Sequence, residues 1–178
     1  MSARDRILDT FEAILSTEGE RGATADAVAA GAAVSKGGLL YHFRNREALV
    51  DGLLDRLLAH AEVDVAAMTA APEGPSWYYL TSCAVTGTPF DRTLIAVSRL
   101  GLDNHPRAGA TLRGIQERWL ALVVSEVGDA AIARAIILMG DGLYHNAVFA
   151  TSPAQESADL DALVRVLELL KRGASAGL

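Results

Sequence analysis

The segment Val34-Ser35-Lys36-Gly37-Gly38-Leu39-Leu40-Tyr41-His42-Phe43 is bracketed by two helix-capping residues, Ser35 and Asn45. Serine and asparagine place an oxygen where the first N–H groups of a helix lack an acceptor. The stretch between these caps therefore has room for a helix of barely two turns. A short apolar segment, Thr24–Gly31, precedes it, and a long amphipathic one begins near Asn45. Two short helices joined by a tight turn, with a cation and hydroxyls at the start of the second, form the pattern of a helix-turn-helix.

The flanking sequence is helical too. Ile7, Leu8, Phe11, Ile14 and Leu15 fall on one stripe of a first helix, which Gly19 and Gly22 end. Thr24 caps the second, with Asp26 in its first turn, where the helix dipole favours an anion; Val28, Ala29 and Ala32 form its small buried face. After Asn45, with Glu47 in the first turn, the residues Leu49, Val50, Leu53, Leu54, Leu57 and Leu58 line one side of a fourth helix over about 45–68. Ala71-Pro72-Glu73-Gly74-Pro75 is the strongest break. Beyond it the pattern predicts helices at about 75–86, 89–102, 105–127, 129–151 and 157–172. Loops are expected at Gly87-Thr88-Pro89, Asn104-His105-Pro106, Gly128 and Thr151-Ser152-Pro153. In the last helix Ser157 is the expected cap and Gly173 the expected stop. No stretch alternates with period two, so the fold class is all-α, with about nine helices and no repeats.

Net charge is −6, which argues against a nucleic-acid partner until its distribution is considered. Residues 1–46 carry six basic and six acidic side chains; residues 47–178 carry ten and sixteen. Between Ser35 and Arg46 stand Lys36, Arg44, Arg46 and His42, with no acid. Screening confines the remaining charge to about 10 Å, so a compact positive footprint on an acidic chain can still hold phosphates. No apolar run is long enough to span a membrane. The mixed-charge start Met1–Arg6 is unlike a secretory leader. The single cysteine, Cys83, suits a reducing compartment. The expected location is the cytoplasm.

Taken together, Thr24-Ala25-Asp26-Ala27-Val28-Ala29, then Val34 to Phe43, then Arg46-Glu47-Ala48-Leu49, resemble the TetR family of bacterial transcriptional regulators. The resemblance is close over about Ile7–Leu58, and beyond that it extends only to the number and length of helices. It implies an N-terminal DNA-binding domain at 1–46, and a ligand-binding and dimerisation domain at 47–178 with the fourth helix as connector. DNA contacts are expected from Thr24, Ser35, Lys36, Gly37, Gly38, Leu40, Tyr41, His42, Arg44 and Arg46. Small residues at 37 and 38 would let the backbone approach the floor of the major groove. The hydroxyls and cations would meet phosphates, and Leu40 a thymine methyl. Gly38 lacks any hydroxyl contact common at that position of the family. The residue before the valine of the turn is usually a glycine with positive φ; here it is Ala33, and Gly31 stands two positions early.

Helices 129–151 and 157–172 carry apolar stripes wider than one core contact requires. They read either as a buried pair or, as favoured here, as the halves of a homodimeric four-helix bundle. Effector-contact candidates are Trp77, Tyr78, Cys83, Phe90, Trp119, Met139, Asp141, Tyr144 and His145. Asp141 and His145, one turn apart, could equally satisfy each other in the core or at the dimer seam, and Cys83 could be a small buried hydrophobe. The histidines His60, His105 and His145 show no metal-ligand spacing, and neither a metal nor a cofactor is expected. There is no phosphate loop or nucleophile elbow to support an enzyme. The expected function is a repressor released from a palindromic operator by a small, largely apolar effector. Two alternatives stay open: an effector-independent activator, and an enzyme with an appended helical unit.

Overall fold

The computed structural model describes residues 2–100, 105–149 and 153–176, with the backbone alone at 148–149, 153–157 and 175–176. The described residues form α1 (Ala3–Gly22), α2 (Ala25–Gly31), α3 (Lys36–His42), α4 (Arg46–Thr69) and α5 (Pro75–Ser82). These are followed by α6 (Pro89–Ser98), α7 (Pro106–Val127), α8 (Ala130–Phe149) and α9 (Pro153–Ala176). They fall into two compact units, one comprising residues 1–61 and 88–114, the other 62–87 and 115–178. The chain of α4, like that of α7, passes from one unit to the other.

Each of the first four helix starts is set by a side-chain cap. Ser2 and Asp5 form a reciprocal capping box on α1. Thr24 Oγ1 accepts from Ala27 N–H at 3.2 Å, Ser35 Oγ from Gly38 N–H at 3.0 Å, and Asn45 Oδ1 from Ala48 N–H at 2.9 Å. Gly19 breaks α1 with φ 72° and ψ −171°, and one more turn follows to Gly22.

Several expected boundaries are corrected. Helix α5 stops at Ser82 rather than near 86, α6 at Ser98 rather than 102, and α9 begins at Pro153, four residues before the expected cap Ser157. Proline is favoured in a first turn because its missing N–H would have had no partner there. Gly173 lies within α9 and does not stop it. The loops expected at Asn104 and Thr151-Ser152 fall outside the described residues.

In the first unit Ile7, Leu8, Phe11 and Leu15 of α1 are fully buried with Val28, Leu39, Phe43, Leu53 and Leu57. Gly31 has a packing role: a Cβ there would come within 2.6 Å of the Thr10 methyl, so its absence lets α2 lie close against α1. Ala33 makes the turn itself, at φ 53°. Val34 N–H bonds to Ala29 C=O at 3.0 Å and Ala33 N–H to Ala30 C=O at 3.1 Å, which is the Schellman arrangement that normally places glycine at this position.

Two polar networks fasten the unit. The Glu12 carboxylate, 8% exposed, accepts from Thr93 Oγ1 of α6 at 2.7 Å and from Arg56 Nη1 of α4 at 3.4 Å; Arg56 also pairs with Asp9 at 2.7 Å. Arg46 donates to Ala23 C=O at 2.6 Å and Glu20 C=O at 3.1 Å, the carbonyls at the end of α1 that no helical N–H reaches. Its guanidinium stands 5.9 Å over the Phe11 ring and 3.4 Å from Glu20 Oε1, and His105 Nε2 lies 2.9 Å from the same oxygen. The His105 hydrogen bond, with Arg46 adding to it, holds the Glu20 carboxyl below the ordinary carboxylate range despite partial burial.

Two outcomes follow for stability. Ala33→Gly removes the left-handed strain of about 1–2 kcal/mol and restores some unfolded-state entropy, for a net gain of about 0.5–1 kcal/mol and a rise of roughly 2 °C in Tm. A lower Tm by circular dichroism would contradict it. The depressed Glu20 pKa contributes stability above the unfolded value, which is lost as pH falls through the folded one. Between about pH 5 and 3 the wild-type Tm should therefore drop more steeply than that of Glu20→Gln; parallel profiles would exclude this role for Glu20.

Candidate nucleic-acid interface and effector region

The outer face of α2 and α3 is built by their caps and their inward anchors. Leu39 and Phe43 point into the core, and Gly52 on α4 leaves room for the Phe43 ring, which a Cβ would approach to 2.9 Å. The Arg4 guanidinium lies 5.1 Å from the centre of that ring. With this side fixed, the remaining residues of α3 must face outward. Tyr41 is 87% exposed, the highest value among the exposed large hydrophobic side chains of the described residues, and Leu40 beside it is 44% exposed. Tyr41 stacks edge-on with His42 at 5.2 Å. Thr24, Ser35, Lys36, Gly37, His42 and Arg44 are likewise exposed, and Gly38 is half-buried.

Gly37 is informative because nothing inside the unit requires it. A Cβ there would meet only Ser35 Oγ, at 3.9 Å, and its φ is not positive. The cost of a helical glycine, about 1 kcal/mol relative to alanine, thus has no intramolecular return.

Charge on this face is less available than the sequence suggests. Lys36 Nζ lies 2.9 Å from Asp26 Oδ1 and 3.2 Å from Oδ2. Arg46 is turned inward to close α1, so the guanidinium expected to meet a phosphate is engaged within the fold. Arg44 is exposed and joins no ion pair among the described residues. The Arg46 contacts escaped sequence reasoning because their acceptors are backbone carbonyls, which leave no residue-type signal.

The effector candidates are divided by the fold. Phe90 lies in the first unit, its ring 6.2 Å from that of His60. The others lie in the second, where α5 packs on α8 and α9, and α8 on α9. Tyr79 and Trp119 rings are 5.5 Å apart. Asp64, missed in the sequence, accepts from Trp119 Nε1 at 2.7 Å and Tyr78 Oη at 3.1 Å. Burial raises its pKa against both hydrogen bonds, and burial beside Asp64 pushes Tyr78 up to about 12. Asp141 accepts from Tyr79 Oη at 2.7 Å. Gly140 permits close approach of α8 to α5, since a Cβ would meet the Tyr79 ring at 2.5 Å and Cys83 Sγ at 3.1 Å. Burial first, and the Asp141 charge second, raise the Cys83 thiol to about 12, which leaves it protonated and unreactive at neutral pH.

Trp77, Tyr78, Cys83, Trp119 and Met139 all pack against the core formed by Met68, Tyr79, Leu80, Ile136 and Leu167. Tyr144 is half-buried on α8. Met139 and the exposed His145 border a separate groove of about 460 Å³ between α8 and α9, with Leu138, Leu143, Asp159 and Leu163.

Comparison with known proteins places this geometry. Residues 7–53 match the family model described as bacterial regulatory proteins, tetR family. No protein of curated function matches the chain. Among solved structures, a TetR-family regulator from Rhodococcus sp. superposes with a TM-score of 0.70 at 17% identity, covering 95% of this chain and 98% of its own. A TetR-family member from Streptomyces coelicolor A3 gives 0.66 at 25% identity, covering 93% and 98%. The multidrug binding protein EbrR, in complex with malachite green, gives 0.60 at 23% identity, covering 91% and 96%. The capped α2–turn–α3 unit thus lies within the segment that matches the tetR family of bacterial regulatory proteins, and the all-α fold around it is that of solved TetR-family regulators.

Proposed function

We propose that the chain is a homodimeric repressor that leaves a palindromic operator when a small, largely apolar effector binds its second unit. The observation that carries the DNA part is the outer face of α3, where an 87%-exposed tyrosine stands beside a glycine that the fold does not need. Both make sense against an external surface: a bare helix start can approach a groove closely, and the tyrosine hydroxyl can donate to a phosphate. Thr24, Ser35, Lys36, Gly38, Leu40, His42 and Arg44 complete that contact, while Arg46 positions the unit from behind. The field around this face is local, so affinity falls steeply with salt. The protein works in the cytoplasm, and no helix among the described residues is long and apolar enough to cross a membrane.

The dimer is proposed to form through α8 and α9. Leu138 and Leu169 are each 61% exposed and Val166 40%, on the two helices whose apolar stripes are too wide for one chain. Two recognition helices would then meet successive major grooves about 34–36 Å apart. The effector reading rests on the aromatic cluster of Tyr78, Tyr79 and Trp119 and on the likeness to EbrR, whose complex holds malachite green. Effector binding would alter the recognition spacing through α4, and by linkage operator would weaken effector binding by the same factor. A specific observation favours the effector-independent reading as second: Asp64 and Asp141 already have donors within the chain. A Tm rise with malachite green that operator DNA suppresses would decide for the repressor.

For the interface, Tyr41→Ala with Arg44→Ala should weaken duplex binding at least tenfold, about 1.4 kcal/mol, with an unchanged melt. Gly37→Leu should weaken it too without lowering Tm, since open space surrounds that position; unimpaired binding by both variants would reject the assigned face. For the dimer, Leu138→Glu with Leu169→Glu should sediment as a folded monomer, and a persistent dimer would move the interface elsewhere.

A further inference from the structure

We propose that Asp26 is an affinity-setting residue that restrains Lys36. It holds the ammonium against α2 in the free protein and thereby lowers both the strength and the salt dependence of duplex binding. The inference rests on the DNA-interface reading above and adds to it a residue that opposes binding.

Asp26 is the second residue of α2 and Lys36 the first of α3, so their pairing crosses the helix-turn-helix on its outer side. Both carboxylate oxygens are near Nζ, at 2.9 and 3.2 Å, while the side chains are 73% and 61% exposed. The pair is therefore solvated and readily exchanged, not a buried fastening. A phosphate can take Lys36 only by displacing a carboxylate already in contact, and it then lies well within a Debye length of that released charge. The run Ser35–Arg46 has no acid of its own, so the restraint comes entirely from the preceding helix. With Arg46 committed to the carbonyls of α1, Lys36 and Arg44 are the cations of that run left to meet phosphates, and Asp26 offsets one of them.

Asparagine has nearly the same shape as aspartate and lacks its charge, so Asp26→Asn releases Lys36 with little steric change. In the wild type, the released carboxylate takes up a cation when Lys36 moves to DNA. That uptake offsets the counterion Lys36 displaces from the duplex.

The test is fluorescence polarisation of the full chain with a random-sequence duplex between about 50 and 200 mM salt, using the wild type, D26N, K36A and the double variant. D26N should bind about fivefold more tightly per subunit, and its plot of log K against log salt should steepen by about one unit per subunit. Both changes should be clearly smaller when D26N/K36A is compared with K36A, where only the bare repulsion between Asp26 and phosphate is removed, whereas a purely structural role for Asp26 at the start of α2 would be independent of Lys36. Equal or weaker binding by D26N, or a gain undiminished in the K36A background, overturns the restraint while leaving the DNA reading intact. A folded wild type that binds no duplex at about 50 mM salt overturns both.

Discussion

The guanidinium of Arg46 is the interaction on which the N-terminal unit depends. Where α1 ends, its last carbonyls have no helical partner, and the chain must turn sharply to start α2. Arg46 supplies donors to Ala23 and Glu20 from the first turn of α4, packs over Phe11, and shares Glu20 with His105. A single planar cation thus joins the end of one helix, the beginning of another and the aromatic core between them. Lysine, with one compact charge, could not reproduce that geometry. The outward face of α3 is left by its own anchors, Leu39 and Phe43, which are buried in the unit whose first helix Arg46 closes.

Much of this architecture was legible in the residues. The caps Thr24, Ser35 and Asn45 located three helix starts because capping depends on residue types a few positions apart. The positive φ at Ala33 was anticipated through the family resemblance, in which that position is usually glycine, and not through any local residue signal. Gly31 was harder to read. Its reason is a methyl group of Thr10 on another helix, and no local pattern encodes that distance.

The limits of reading the site have one physical cause, which is that charge and polarity act through space. The count of cations between Ser35 and Arg46 could not reveal that Asp26 faces Lys36, or that Arg46 points inward. Asp64 escaped notice although it accepts from both Tyr78 and Trp119, because a lone aspartate on a helix resembles a solvated one until its surroundings are seen. The pairing of Asp141 is a similar case: it accepts a hydrogen bond from Tyr79 on α5, a helix distant in sequence. Helix α9 differs at both ends from the reading: Pro153 suits a first turn as well as Ser157 suits a cap, and the helix runs on through Gly173.

Gly37 carries a consequence for how such a protein can diversify. Most positions near a functional surface serve two masters, so that a change in recognition also changes stability. At Gly37 the surrounding space is empty and the backbone ordinary, and almost any side chain can be added without disturbing the unit beneath it. The start of α3 is therefore a position where a lineage can try new contacts with little risk of unfolding, and preference for a new target can be acquired independently of the fold that presents it.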